Sequence, residues 1–205
     1  MRLHTASLCA LAMAAAAFQA QAQQPSVGHL DAYYIPNADY EETFENLILK
    51  DDGDGFGFKG RALFADQLFF AGEYQSTEYD DSELELDQLR FGIGYLSAIS
   101  PMADFLVQVE YIKADQEIPG FGSEDENGFG VHVGAIAKLA PAFSMNATVG
   151  FVSVGDFDGT EFLVGARFQA SPVVSVFMDY RMTRLSDSGA DLDLDDLRLG
   201  AGFHF

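Results

Sequence analysis

The chain has 205 residues and carries 32 acidic side chains against 11 basic ones, a formal net charge of −21, and so anionic a chain excludes nucleic acid as a natural partner. Its single cysteine, Cys9, excludes a disulfide framework. Mean hydropathy is near zero and no stretch resembles a transmembrane helix, so a membrane-spanning reading has to be a β-barrel.

Residues 1–22 have the pattern of a secretory signal peptide. Arg2 supplies the early positive charge, an apolar stretch runs from Leu8 to Phe18, and Ala20-Gln21-Ala22 gives the small-x-small cleavage pattern. Large Leu8 before Cys9 argues against a lipoprotein. Cleavage after Ala22 would leave residues 23–205 as one domain without cysteine, with 10 basic residues against 32 acidic ones.

Ten alternating segments follow, each expected to be a strand with one apolar face. In chain order the apolar faces begin with Leu30, Ala32 and Tyr34, then Phe56, Phe58, Ala62 and Phe64, then Leu68, Phe70 and Tyr74. Next come Leu89, Phe91, Ile93 and Tyr95; Phe105, Val107, Val109 and Tyr111; and Phe129, Val131, Val133, Ala135 and Ala137. The last four are Phe143 to Phe151, Phe162 to Phe168, Val174 to Met182, and the C-terminal run Leu197, Leu199, Ala201, Phe203 and Phe205. The opposite face holds Asp31, Lys59, Arg61, Glu73, Gln75, Arg90, Gln108, Glu110, His132, Asn146, Thr148, Arg167, Asp179, Arg181 and Arg198. Glycines on that face are expected to make room for the long arginines.

The connections separate a barrel from a soluble sandwich. Ala65-Asp66-Gln67, Ser97 to Ala103, Ala140-Pro141-Ala142 and Ala170-Ser171-Pro172 are expected short turns. Residues 37–53, 79–87, 115–127, 155–159 and 186–194 are mostly longer and strongly acidic. Short turns on one rim and long loops on the other mark outer-membrane barrels, and an even strand count puts both ends on the short-turn rim. The least defined stretch is 37–53: Leu47-Ile48-Leu49 could extend a strand above the membrane, with Asp51 to Gly55 as the hairpin tip, or a short helix could form there. The expected architecture is all-β: a closed antiparallel up-and-down transmembrane barrel of ten strands, with eight as the alternative count.

An unpaired charge in a narrow bore is costly. Asp31, Lys59, Arg61, Glu73, Arg90, Glu110, Arg167, Asp179, Arg181 and Arg198 are therefore expected to form a paired lumen charge network. Two readings of it stay open: a polar core that fixes strand register, or an ion-conducting pore with a basic lining. On the outer face, Tyr34, Tyr74, Tyr95, Tyr111 and Tyr180 with Phe64, Phe143, Phe168 and Phe205 are placed for aromatic girdles.

Most acids fall in or beside the long loops, among them Asp51, Asp52, Asp54, Asp80, Asp81, Asp191, Asp193, Asp195 and Asp196. Carboxylates are the hard ligands that calcium and magnesium prefer, so divalent cations could bridge this rim to lipopolysaccharide; solvated loops are the plainer reading. Asp51-Asp52-Gly53-Asp54-Gly55 does not keep the EF-hand register, because glycines occupy ligand positions and Ala62 stands where the closing Glu belongs. No phosphate loop, zinc spacing or haem motif is present, and no cofactor is expected. The histidines after residue 22 are His29, His132 and His204, and no long loop contains one.

Over about 180 residues the pattern resembles the small outer-membrane β-barrel proteins of Gram-negative bacteria, the OmpA/OmpX-like superfamily. Leu197-x-Leu199-x-Ala201-x-Phe203-x-Phe205 looks like that class's assembly signal, with Phe203 and Phe205 as its aromatic positions, and this implies the barrel assembly machinery as a partner. Asp87-Gln88-x-Arg90-x-Gly92-x-Gly94-Tyr95, with the acidic loop before it, resembles a group found in xanthomonads, loosely linked to biofilm and quorum-sensing phenotypes. The resemblance implies the cell outer membrane, with lipid and lipopolysaccharide as surroundings. Proteases of this architecture need His and Asp facing one another on the extracellular rim, and lipid-A-modifying barrels use Ser-His pairs; neither is found, so catalysis is not expected. The expected role is structural or surface-interaction (envelope integrity, adhesion, biofilm-type phenotypes); a narrow porin-like channel for small solutes is the alternative.

Overall fold

The computed structural model describes residues 28–44, 47–118, 120 and 122–205. The expected signal peptide, Cys9 and the cleavage point lie outside the described residues. Ten strands follow in order: β1 His29–Phe44, β2 Leu47–Leu63, β3 Leu68–Tyr79, β4 Glu85–Ser100, β5 Ala103–Ile118, β6 Gly122–Ala140, β7 Phe143–Val154, β8 Phe157–Ser171, β9 Val174–Ser186 and β10 Ala190–His204. Each pairs antiparallel with its chain neighbours, and β1 pairs with β10, which closes the barrel. Closure follows from the solvent: an open edge in hydrocarbon would strand a row of amides at several kcal/mol each.

Alternation sets which side chains meet lipid. Phe56, Phe58, Phe70, Phe91, Ile93, Val109, Val131, Val176, Met178 and Leu199 are all exposed on the outer wall. Tyr34 donates to Asp54 at 3.0 Å and Tyr74 to Asp87 at 3.2 Å, so their rings lie on the apolar band while their hydroxyls reach the acidic rim. At the other rim Phe64 stacks on Phe70 with ring centres 4.2 Å apart.

The acidic segments are not long loops. The strands run 12 to 19 residues, more than the roughly 9–11 that cross a bilayer. The surplus is hydrogen-bonded hairpin standing above the membrane: Ala38 to Phe44 pair with Gly53 to Leu47, and Lys113 to Ile118 with Asn127 to Gly122. Leu47, Ile48 and Leu49 do extend a strand, but Asp51 to Gly55 lie inside β2 instead of at a tip. Low intrinsic strand propensity of Asp and Glu is outweighed here by ladders already nucleated in the wall below. The short turns are tighter than expected for the same reason: Ser97 to Ser100 belong to β4, and Ala170 and Ser171 to β8.

One bulge has consequences for the lumen. In β1 the register shifts between Tyr34 and Asn37 against β10 and between Ile35 and Ala38 against β2. Pro36 sits there, where its missing N–H breaks no ladder bond. The extra residue switches the alternation: Asp31, Tyr33 and Ile35 are buried below the bulge, and Ala38 is buried above it.

Asp51, expected among the solvated loop acids, is buried. It accepts from the Asp81 amide at 3.0 Å, the Ser82 amide at 2.8 Å and the Ser82 hydroxyl at 2.6 Å. Desolvation alone would raise its pKa, yet these donors hold its carboxyl below the usual carboxylate range. It therefore pins the β3–β4 turn to the first hairpin.

Candidate functional site

All ten residues of the expected lumen network face inward, and nine of them gather in three connected groups; Arg61 joins none of them. Nearest the short-turn rim, Arg167 (β8) grips Asp31 (β1) with two parallel bonds of 3.0 and 2.5 Å and also donates to Ser175 at 2.7 Å. In the middle, Glu73 (β3) accepts from Arg181 (β9) at 2.7 Å, Arg198 (β10) at 2.9 Å and the Tyr33 hydroxyl at 2.8 Å. Lys59 donates to Asp179, and Arg198 lies 3.6 Å from the same carboxylate. Further round, Arg90 (β4) binds both oxygens of Glu161 at 2.9 and 2.8 Å and one of Glu110 at 3.1 Å. Arg181 joins the second and third groups, since its Nε is 3.9 Å from Glu161.

Bidentate guanidinium–carboxylate pairs have the geometry that gives charge-assisted bonds their strength. Each of these bonds also crosses the bore: Arg167 to Asp31 links β8 to β1, and Arg90 to Glu161 links β4 to β8. A one-residue slip of any strand would send its charge to lipid. The network thus fixes register.

Sequence reasoning missed four members. Asp196 was read as part of the acidic rim, and Glu161, Asp104 and Lys138 were not assigned; the last two form a 2.9 Å pair beside the short turns. Parity could have found them, because Glu161 shares a face with Arg167 and Asp196 with Arg198. With them, and leaving aside Asp66 in a turn at the cavity mouth and Asp51 bound under the β3–β4 turn, the described lumen wall holds seven cationic side chains (Lys59, Arg61, Arg90, Lys138, Arg167, Arg181, Arg198) and seven carboxylates (Asp31, Glu73, Asp104, Glu110, Glu161, Asp179, Asp196). The ten residues named from the sequence count six cations against four carboxylates; the four further members bring the two signs level.

Large apolar side chains enter the lumen too. Tyr33, Ile35, Ala38, Tyr79, Leu84 and Phe177 form one buried cluster, and Ile112, Val152 and Leu185 another. The inner glycines serve these rings more than the arginines. A Cβ at Gly57 would lie 2.3 Å from the Tyr33 ring, at Gly94 2.1 Å from Phe69, and at Gly200 2.4 Å from Phe177. Arg198 and Lys59 then lie over the Tyr33 and Phe177 faces at 5.3 and 4.4 Å, a favourable arrangement for a cation on an aromatic ring.

A cavity of about 500 Å³ occupies the other half of the bore. It starts at Asp66 and Gln67 of a short turn and ends against Arg90, Glu161 and Arg181. The buried Ile112, Val152 and Leu185 are not among its lining residues.

Glu110, His132 and Glu161 place one ligand atom each within 4.8 Å of one another. A cation does not fit there, because Arg90 is bonded to both carboxylates and would face it as a fixed like charge. His132, 3.2 Å from Glu161, lies in mid-lumen away from the outer rim.

Three solved structures give the fold its context. The outer membrane protease OmpT of Escherichia coli superposes with a TM-score of 0.57 at 10% identity, over 89% of this chain and 98% of that one. An outer membrane channel of Pseudomonas putida F1 gives 0.53 at 10% identity, over 88% and 96%. The attachment invasion locus protein Ail of Yersinia pestis gives 0.41 at 14% identity, over 87% and 99%. No curated protein matches the chain in sequence. Residues 5–169 match a family description, the outer membrane protein beta-barrel domain. With the closed ten-strand wall and its lipid-facing band, that match identifies the chain as a member of this family of outer-membrane β-barrel proteins.

Proposed function

We propose that the protein is a non-enzymatic barrel that acts through its projecting acidic hairpins, in envelope integrity, adhesion or biofilm-type behaviour, and does not conduct through its bore. The observation carrying this reading is the lumen's charge balance: seven cations meet seven carboxylates, and apolar clusters fill the bore beyond them. A conducting filter needs groups that an ion can engage and leave; here most of them engage one another. The absence of a catalytic site is supported by His132, whose carboxylate neighbours are bound by Arg90. Outside, the hairpins present Asp52, Asp54, Asp80, Glu124 and Asp191 to solvent, which suits divalent-bridged contact with lipopolysaccharide. The C-terminal Phe203 and Phe205 are exposed on the outer wall, where the barrel assembly machinery could read them.

Planar-bilayer recording tests the closed bore. Refolded protein is expected to give no steady unitary current. Steady currents that shift in Arg90→Ala or Arg181→Ala would favour the narrow channel instead.

A further inference from the structure

The cavity below the network has two unlike walls. On the β8 and β1–β2 side it is lined by Arg167, His29, Lys59 and Arg61; on the β4–β6 side Leu96, Leu106 and Ile136 form an apolar patch beside Gln108 and the mutually paired Asp104 and Lys138. Arg167 is committed to Asp31 and Lys59 to Asp179. Arg61 is different: among the described residues it is the lumen arginine that makes no ion pair or hydrogen bond. Its cross-strand neighbours are His29 and Ala71, neither of which brings a carboxylate to it; the carboxylate whose field reaches it, Asp31, is already gripped by Arg167. Its guanidinium is held over the Phe69 ring at 4.4 Å, and its Nε is buried.

A guanidinium kept in a partly enclosed site with no directly bonded counter-charge is unfavourable. A rigid one is also a ready anion receptor, since its planar fork matches a carboxylate with two parallel bonds. We propose that this vestibule binds a small organic carboxylate from the short-turn side, with Arg61 clamping the carboxylate and the Leu96–Leu106–Ile136 wall covering the apolar body. The cavity volume falls within the range of small-molecule sites, which pair apolar walls with a few placed polar groups. Inorganic phosphate would satisfy Arg61 and leave that wall unused. The site is reached from the short-turn rim and lies below the ion pairs, so binding does not depend on whether the bore conducts past them.

The test uses refolded protein in micelles, with 4-fluorobenzoate followed by fluorine NMR and 4-fluorobenzyl alcohol as the neutral control for partition into detergent. Saturable binding of the carboxylate alone is expected, weakened about tenfold or more in Arg61→Gln and partly recovered in Arg61→Lys. Unlabelled benzoate is expected to compete, and equal phosphate is not. Heat-sensitive migration in SDS gels verifies that Arg61→Gln folds; should it not, Ala98→Trp, which fills the vestibule at its mouth, is expected to abolish binding in the same way. Absence of saturable binding to the wild type overturns the proposal, as would equal binding of the alcohol or an undiminished signal in these variants. Competition by phosphate as strong as that by benzoate would overturn its organic specificity.

Discussion

Glu73→Ala is expected to destabilise the folded barrel by about 3–5 kcal/mol, the cost of leaving buried charge uncompensated. Glu73 accepts from Arg181, Arg198 and Tyr33. Arg198 is fully buried, and its remaining carboxylate contact is Asp179 at 3.6 Å. Arg181 keeps Glu161, 3.9 Å from its Nε. Both guanidiniums would then face each other across the hole left by the carboxylate. Urea unfolding followed by circular dichroism in micelles measures the loss. Adding Arg198→Met to Glu73→Ala removes one stranded charge and is expected to recover part of it. A loss under about 1 kcal/mol, the scale of an exposed ion pair, would mean that the bore is wet enough to screen these charges.

The second large effect lies on the opposite face. Ile93 of β4 pairs across the strand with Val109 of β5, and both are exposed on the outer wall, 58% and 49%. In water, an arginine at so exposed a site would cost little. Facing the middle of a bilayer, Ile93→Arg is expected to cost about 2–4 kcal/mol. Ile93→Ala, which keeps the site uncharged, is expected to cost much less. Unfolding of the two variants in phospholipid vesicles reads the difference. Equal stability of Ile93→Arg and wild type would place that face against water.

The wall of this barrel was legible in the sequence because its signal is strictly local. Val174, Val176, Met178 and Tyr180 alternate with Ser175, Phe177, Asp179 and Arg181, and period two alone sorts them to opposite faces. Strand count and closure followed from the ten repeats and from the cost of open edges in lipid. The same rule misled where polarity was used in place of parity. Tyr33, Phe69 and Phe177 sit at inward positions, yet a rule that sends aromatic rings to lipid passes over them. Their glycine partners lie directly opposite on the next strand, as Gly94 does from Phe69 and Gly57 from Tyr33, so they show only once the register of each hairpin is known.

The acidic rim failed for another reason. Asp and Glu suggest loops by composition, but the hydrogen bonds that make them strand are cooperative with the wall beneath. Asp51 and Asp196 illustrate the cost: both are buried, one holding a turn and the other accepting from Gln75 at 2.9 Å. Inward placement of the charges could be read from the sequence; partners such as Arg90 with Glu161 lie 71 residues apart, and pairing across a bore needs the curvature of the closed sheet. The bulge at Pro36 also changes face assignments above it, which a fixed period would carry wrongly to the tip.

The central claim is that apolar side chains meet lipid while charged ones meet the bore. Spin labels on single cysteines at successive positions 174–181 of β9, in refolded protein lacking residues 1–22 and so free of Cys9, test it directly. Collision with oxygen, which concentrates in acyl chains, is expected to be high at 174, 176, 178 and 180 and low at 175, 177, 179 and 181. A reversed alternation, or equal access at all eight positions, would contradict it.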